Sequence, residues 1–124
     1  VYFQAYTNTY ASPDTLRGIY DRIKKFPEVV GLIVGTRPDC VPDETLELIN
    51  SYTDNYLVWI EYGLESSHYR SLRWMNRGHG VSDFIDAVLR TRKFPKINIC
   101  AHVILGLPTE DREDMLETAD FLSS

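Results

Sequence analysis

Short apolar runs recur along the chain at intervals of roughly thirty residues. They predict four strands, at Val1 to about Ala5, Val29–Val34, Tyr56–Ile60 and Ile97–Leu105. The second and third runs show no alternation of apolar and polar residues. That pattern is typical of strands buried on both faces, as in a parallel sheet that helices cover.

Between these runs, apolar residues recur at the spacing of an amphipathic helix. Ser12 can cap the first helix, Pro13 suits its first position, and Pro27 ends it. Pro42-Asp43 begins the second helix, a short helix is expected over Ser67–Met75, and Ser82 can cap the fourth. The predicted inner faces are Leu16, Ile19, Tyr20 and Ile23; Leu46, Ile49 and Tyr52 or Thr53; Phe84, Ile85, Val88 and Leu89; and, after Thr109, Met115, Leu116, Ala119 and Leu122.

The alternation of strands and helices predicts an α/β fold with parallel strands and right-handed crossovers. Two architectures fit this order: a doubly wound open sheet, or part of a (β/α) barrel. Periodicity does not choose between them.

Polar segments follow each predicted strand. They are Thr7–Thr9, Thr36–Asp39, Glu61–Ser67, and His102 with Gly106–Glu110. In both architectures ligands bind outside the carboxyl ends of the strands, so the four segments would line one rim. Strand-to-helix loops are often polar for capping alone. Four such segments together favour a site for a polyfunctional small molecule.

Composition describes an ordinary globular chain. It has 124 residues, 44% hydrophobic and 25% charged, with a formal net charge of −5. The length suits one domain, and the acidic balance argues against a general binder of nucleic-acid backbones. No apolar run is long enough for a membrane helix. Cys40 and Cys100 do not make a disulfide framework, so we expect a reduced, cytoplasmic setting.

Several common motifs are missing. The sequence contains no GxGxxG, no GxxxxGK[ST] and no GxSxG. The three histidines share no metal-ligand spacing, so we predict no metal site from the motifs. Arg37 follows an apolar strand and needs a carboxylate or ligand partner, for which Asp39 and Glu61 are the candidates.

Five segments together resemble a known family. They are Tyr2–Tyr10, Gly35–Cys40, Glu61–Ser66, Asn76–His79 and His102–Glu110. In this order they closely resemble the radical S-adenosylmethionine (SAM) enzymes over essentially the whole chain. The nearest branch resembles the YhcC/YtqA-type family, which is related to the catalytic subunit of Elongator and more distantly to oxygen-independent coproporphyrinogen oxidase.

The resemblance implies a (β/α)6 partial TIM-type barrel. Residues 1–124 would form a partial radical SAM core domain of about four βα units, holding about strands two to five. The implied chemistry is reductive cleavage of SAM by a [4Fe–4S] cluster to a 5′-deoxyadenosyl radical that abstracts a substrate hydrogen, with an external reductant. The kinship with Elongator suggests tRNA as a substrate class.

The resemblance also implies which residues hold SAM. The segment from residue 6 to residue 9 would meet its amino group, Glu65 its ribose and Arg77 its carboxylate. The stretch from residue 104 to residue 108 would lie under the adenine. The full set of expected contacts is Tyr6, Thr7, Asn8, Thr9, Thr36, Arg37, Glu65, Arg77, His102, Ile104, Gly106, Leu107 and Pro108.

The family's three cluster cysteines, spaced CxxxCxxC, do not occur in this sequence. Cys40 and Cys100 match no family cluster ligand. We therefore expect that this chain alone neither assembles the cluster nor catalyses, and that the cluster loop lies upstream of Val1. Open sheet edges on such a fragment predict edge-mediated self-association.

Two alternatives stay open at this point. One is a cluster-free module that binds SAM or a nucleotide. The other is a fragment of a barrel metalloenzyme that uses His102, His79 and a carboxylate.

Overall fold

Four parallel strands and five α-helices make up the chain, and a computed structural model describes residues 1–124. The strands are β1 (Tyr2–Phe3), β2 (Gly31–Thr36), β3 (Leu57–Glu65) and β4 (Ile97–Val103). The helices are α1 (Pro13–Tyr20), α2 (Asp43–Asn50), α3 (Tyr69–Trp74), α4 (Val81–Thr91) and α5 (Arg112–Ser123), with 3₁₀ turns at Asp21–Lys25 and Pro38–Cys40.

The strand order is β1-β2-β3-β4, and every neighbouring pair is parallel. Each strand therefore lies beside its neighbour in sequence, with no reversal of order. A doubly wound sheet needs such a reversal, whereas a (β/α) barrel does not. The predicted α/β fold is confirmed, and the strand order is that of a partial barrel.

The helices cover one face of the sheet. Along β3 the burial alternates: Val58 and Ile60 are fully buried, whereas Leu57 and Trp59 remain exposed. The prediction that strands are buried on both faces was wrong for this chain. Leu57 and Trp59, the apolar residues on the second face of β3, lie on the face that in a barrel points to the interior. The core contains Leu16, Tyr20, Ile23, Leu32, Val34, Val41, Leu46, Leu48, Ile49, Tyr52, Val58, Ile60, Tyr62, Leu64, Phe84, Ala87 and Ile97.

Strand limits differ from the prediction in two places that affect the site. β1 is only two residues long, and β3 continues past Ile60 to Glu65. The polar residue Glu61 does not end the strand because it lies on the face that no helix covers. Glu61 is therefore part of the sheet, not of a loop that follows it.

The first helix begins as predicted, since the backbone N–H of Thr15 donates to Ser12 Oγ over 3.3 Å. The fourth begins one residue before Ser82, and its cap is Gly80, whose N–H donates to Asp83 Oδ2 over 2.7 Å. Ser82 therefore lies inside the first turn of α4 and does not cap it.

The inner faces of α1 and α2 are as predicted, and Tyr52, not Thr53, is buried. In α4 the buried residues are Phe84, Ala87 and Thr91, while Ile85 and Leu89 are exposed. In α5 only Thr118 is buried, and the predicted stripe through Leu116 and Leu122 is largely exposed. α5 is joined to the rest of the fold by Phe121, whose ring centroid lies 6.2 Å from that of Phe84, and by Ser67, which bonds to Thr118 through both its N–H and its hydroxyl.

No helix combines the length and the hydropathy that crossing a membrane requires.

Candidate functional site

A polar cavity of ≈350 Å³ lies where the uncovered face of the sheet meets the carboxyl ends of β1, β2 and β3. Its walls are Tyr2, Gln4, Tyr6, Thr7, Gly35, Thr36, Arg37, Glu61, Gly63, Glu65, Arg77 and His102. Seven predicted site residues are among them: Tyr6, Thr7, Thr36, Arg37, Glu65, Arg77 and His102. In open α/β folds and barrels this end of the sheet is where ligands bind.

A larger cavity, of ≈820 Å³, is lined by Thr9–Ala11, Asp39–Asp43, Asp86 and Arg90. Its one cation, Arg90, already pairs with Asp43 over 3.0 Å and with Asp86 over 2.7 Å. Because its charges are matched within the fold, we place the candidate site in the polar cavity.

Glu65 and Arg77 form an ion pair in the lining of the polar cavity. Glu65 ends β3 with a positive φ of 67°, at an irregularity in the pairing of β3 with β4. Its Oε1 lies 3.0 Å from Arg77 Nη2. A left-handed backbone at a non-glycine residue is uncommon and directs the side chain away from the strand's regular path. Here it brings a carboxylate against a guanidinium inside the cavity.

His79 fixes the other side of the Arg77 guanidinium. Arg77 Nε donates to His79 Nε2 over 3.1 Å. His79 is buried, and burial followed by the nearby Arg77 charge lowers the pKa of its imidazole. The ring therefore stays neutral near pH 7 and accepts this hydrogen bond. Arg77 is thus held from two sides, and its remaining N–H groups stay available to a ligand.

Gly63 makes room for this pair. A Cβ at Gly63 would lie 2.4 Å from Glu65 Oε1 and 2.8 Å from Arg77 Nη2. Any side chain there would displace both charged groups, so the absence of a side chain at this position is part of the site's geometry.

Arg37 also lines the cavity. It forms a two-point contact with Asp39, with Nε to Oδ1 over 3.0 Å and Nη2 to Oδ2 over 2.6 Å. Asp39, not Glu61, is therefore the partner that the sequence left undecided. The guanidinium lies over Gly78, where a Cβ would come within 2.6 Å of Nη2.

Asn8 and Thr9 shape the rim but do not line the cavity. Asn8 Nδ2 donates to Phe3 O over 2.8 Å and to Gly35 O over 3.0 Å, which fastens the loop after β1 to β2. Thr9 is buried and its hydroxyl lies 2.6 Å from that of Thr36. Their side chains are thus committed to holding the loop, whereas Tyr6, nearly fully exposed, is available to a ligand.

The segment after β4 lies beside the cavity without lining it. Ile104 N–H donates to Glu65 O over 2.9 Å, which joins the segment to the end of β3. Ile104 is exposed and Gly106 has a positive φ of 79°, but the side chain of Leu107 is buried. Of the residues expected near adenine, Leu107 is turned into the protein, and Pro108 lies at the surface.

Tyr2 and Glu61 are cavity residues whose contact the sequence did not reveal. Tyr2 donates from its hydroxyl to Glu61 Oε2 over 2.5 Å, and His102 Nε2 lies 2.8 Å from the same oxygen. The hydrogen bond to the Glu61 carboxylate raises the pKa of Tyr2 to about 12. The available signal was the period-two pattern Glu61-Tyr62-Gly63-Leu64-Glu65, which marks a strand with one polar face.

The cysteines do not form a cluster site. Both are free thiols, and no third cysteine exists in the sequence. A [4Fe–4S] cluster is held by cysteine thiolates, and SAM takes only one iron of it in the family that the sequence resembles. The residues present therefore do not fit the cluster. Similarly, His79 and His102 do not share a candidate metal-ligand group, so the site imagined for a barrel metalloenzyme with both is not assembled.

Comparison with known proteins gives three findings. The profile of the radical SAM superfamily matches residues 3–122. The chain is 46% identical over 124 residues to the uncharacterized protein MJ0486 of Methanocaldococcus jannaschii, and 42% identical over 120 residues to the protein YhcC of Escherichia coli K12. These alignments cover 99% and 96% of this chain, and 38% of each relative.

Among solved structures, the archaeal Elp3 of Methanocaldococcus infernus, with an N-terminal deletion, superimposes with a TM-score of 0.57 at 26% identity. The match covers 73% of this chain and 20% of the Elp3 chain. The resemblance noted in the sequence is therefore confirmed. The chain spans less than two-fifths of the length of the curated relatives it matches.

Proposed function

Since this chain belongs to the radical SAM superfamily, we propose that it forms the SAM-binding wall of a radical SAM enzyme longer than the chain itself. The observation that carries the proposal is the Glu65–Arg77 pair, held between Gly63 and His79 inside the polar cavity. The site-residue assignments below rest on this geometry and on the family match.

Each end of SAM has a chemically suitable partner in the cavity. Arg77 presents a planar array of N–H donors to the aminoacyl carboxylate, a geometry that a guanidinium matches with two hydrogen bonds. Glu65 can accept from ribose hydroxyls, and binding would exchange part of its pairing with Arg77 for these bonds. The backbone and hydroxyl groups at Tyr6 and Thr7 would meet the amino group. Thr36, Arg37 and His102 complete the polar wall.

The exposed surface at Ile104 and Gly106 is our proposed adenine platform, because it is bonded to Glu65 through the backbone. Asn8, Thr9 and Leu107 hold the surrounding loops in place, and Pro108 follows them at the edge of the platform.

When SAM and a [4Fe–4S] cluster are both bound, the pair supplies reductive cleavage of SAM and a radical that removes hydrogen from a substrate. This chain contributes binding and orientation of SAM and exclusion of water. The cluster ligands and an external reductant are contributed from outside it, so we expect no catalysis by these 124 residues alone. By analogy with the Elongator subunit, tRNA is the proposed substrate class, and the acidic net charge gives this no support.

A reduced, cytoplasmic setting belongs to the same proposal. Both cysteines are free thiols, and iron–sulfur chemistry requires protection from oxidation.

The proposal is tested by titrating the chain with SAM in a calorimeter. Arg77→Gln should weaken SAM binding by about 10- to 150-fold, since a hydrogen bond to a charged group contributes about 1.5–3 kcal/mol. Arg73→Gln, an exposed arginine on α3, is the matched control and should bind as the unchanged chain does.

Methylthioadenosine, which lacks the aminoacyl carboxylate, is the matched ligand. It should bind equally to the unchanged chain and to Arg77→Gln. Equal SAM affinity in the two chains would contradict the role of Arg77, and no measurable binding to the unchanged chain would contradict the proposal as a whole.

A cluster-free SAM-binding module is the second candidate, favoured by one observation. The chain has two cysteines, both free thiols, and no CxxxCxxC triplet. Anaerobic reconstitution with iron and sulfide separates the two functions. The first predicts cluster absorbance in the full-length protein and none in this chain, whereas absence from both would establish the second.

A further inference from the structure

Three metal-ligating side chains converge on the uncovered face of the sheet, and two of them also line the polar cavity. They are Glu61 on β3 and Cys100 and His102 on β4. Their ligand atoms all lie within 4.8 Å of one another. No sequence motif predicts this group, because its members are brought together by strand pairing.

The register of β3 and β4 explains the convergence. Glu61 pairs with Cys100, and Gly63 pairs with His102. Paired residues in a parallel sheet point to the same face, and residues two apart on one strand share that face. Gly63 has no side chain, so the imidazole of His102 can lean across the strand to reach Glu61 Oε2 at 2.8 Å.

We propose that Glu61, Cys100 and His102 bind a Zn²⁺ ion, with a fourth position open to water or to a substrate atom. Carboxylate, thiolate and imidazole are the three ligand types that zinc takes in proteins, and three protein ligands with one open position is the usual form of a catalytic zinc site. Mg²⁺ and Ca²⁺ prefer all-oxygen surroundings, so the thiol and the imidazole select against them. On binding, Cys100 releases its thiol proton to solvent and becomes a thiolate ligand.

The atoms need only a small contraction to coordinate one ion. Ligands at roughly 2.0–2.3 Å from zinc are separated from one another by about 3.3–3.8 Å in a tetrahedron. In the structure the ligand atoms are at most 4.8 Å apart, so each distance must shorten by at most about 1–1.5 Å to reach this spacing. Side-chain rotation is enough for such a change. Glu61 is largely buried and His102 is half-exposed, so the group is accessible to an ion from the open face.

Tyr2 is the positioning residue of the group. Its hydroxyl donates to Glu61 Oε2 and fixes the orientation of the carboxylate from β1, two strands away from Glu61 on β3. Hydrogen bonds of this kind to metal-ligating carboxylates commonly change metal affinity by 10- to 100-fold.

A second cluster, His68 with Asp114 and Glu117, is a weaker candidate. Asp114 already pairs with Arg70 and accepts from the N–H of Asp111 over 3.0 Å, and His68 Nε2 lies 3.0 Å from a backbone oxygen. Its ligand atoms are therefore committed to joining α3 to α5. This cluster supplies one of the two control variants, at His68.

The test titrates the 124-residue chain with Zn²⁺ by calorimetry and with Co²⁺ by absorption spectroscopy. We expect one site and a thiolate-to-cobalt charge-transfer band. Cys100→Ser should abolish that band and weaken Zn²⁺ binding at least about tenfold. His102→Gln and Glu61→Gln should each weaken Zn²⁺ binding by at least the same factor. Tyr2→Phe should weaken binding about tenfold while the band persists.

Cys40→Ser and His68→Gln are the matched controls and should leave both the band and the affinity unchanged. A band that survives in Cys100→Ser, or one that is lost in Cys40→Ser, would overturn the proposal. The proposal would also be overturned if Glu61→Gln and His102→Gln each bound Zn²⁺ with the affinity of the unchanged chain.

His102 belongs both to the proposed zinc group and to the proposed SAM wall, whereas Cys100 belongs to the zinc group alone. Circular dichroism of Cys100→Ser reports whether the variant is folded, and SAM titration of the same variant reports whether SAM binds, since Cys100 lies outside the SAM contacts. Zinc binding without SAM binding, or the reverse, therefore identifies which proposal has failed.

Discussion

Replacing Gly63 by alanine tests whether the placement of Arg77 matters for binding. The backbone of Gly63 has no positive φ, so alanine fits the strand conformation. The added Cβ would meet Glu65 Oε1 at 2.4 Å and Arg77 Nη2 at 2.8 Å. Both atoms are far ends of flexible side chains, and they would swing away while the backbone remains in place.

The expected effects on stability and on binding are very different. A glycine-to-alanine change at a compatible position stabilises a protein by about 0.4–1 kcal/mol. Breaking a partly exposed ion pair costs at most about 1 kcal/mol. The two nearly cancel, so the free energy of unfolding should change by less than about 1 kcal/mol. Losing the aligned guanidinium removes about 1.5–3 kcal/mol of SAM binding, or about 10- to 150-fold in Kd.

The assay pairs urea denaturation with SAM calorimetry on each variant. Gly18→Ala, on the exposed side of α1 with no atom within 4 Å of the new Cβ, is the control. It should raise the free energy of unfolding by up to about 1 kcal/mol and leave SAM binding unchanged. SAM binding by Gly63→Ala at the affinity of the unchanged chain would refute the reasoning, since the guanidinium would then not need its present position.

Three further predictions concern the rest of the fold. Tyr62→Phe removes a buried hydrogen bond of 2.8 Å to Thr91 and should lower the free energy of unfolding by about 1 kcal/mol in urea, whereas Tyr69→Phe, at an exposed position, should not. The hydrogen bond from Arg70, followed by that from the backbone N–H of Asp111, lowers the pKa of Asp114 in the folded chain. The Asp114 carboxylate therefore stabilises the fold fully above its unfolded pKa near 3.9, and this stability is lost as the pH falls through the lower folded pKa. Asp114→Asn should therefore flatten the decline of the urea midpoint between about pH 5 and pH 2. The unpaired outer edge of β4 predicts concentration-dependent association, and a monomer by light scattering over a wide concentration range would contradict it.

Sequence patterns predicted the elements well wherever one apolar face meets the core. Leu16, Tyr20 and Ile23 recur at helical spacing and are buried together, and the apolar runs mark every strand. The patterns failed where hydrophobicity does not report burial. In α5, Leu116 is exposed while Thr118 is buried, and the inward side of the helix carries the Thr118 bonds to Ser67 together with the Phe121 ring packed on Phe84.

The candidate site was only partly predictable for a related reason. Arg77 and Glu65 could be named from motifs because the residues around them resemble a family. The contact of Tyr2 with Glu61 joins residues from two strands that are not neighbours, and the role of Gly63 depends on where two other side chains lie. Such relations follow from register and from a reversed backbone angle at Glu65, neither of which is visible in a pattern of residue types.

The alternation along β3 connects these results. Its even-numbered residues, such as Ile60 and Tyr62, are fully buried beneath the helices, and its odd-numbered residues Glu61, Gly63 and Glu65 face the cavity. A strand covered by helices on both faces could not hold ionisable groups on one face without costly desolvation. Because no helix covers the second face, the same strand stabilises the fold with one set of side chains and presents ligand-binding groups with the other. Substitutions along β3 should therefore alternate in effect, lowering stability at even positions and changing SAM or metal binding at odd ones.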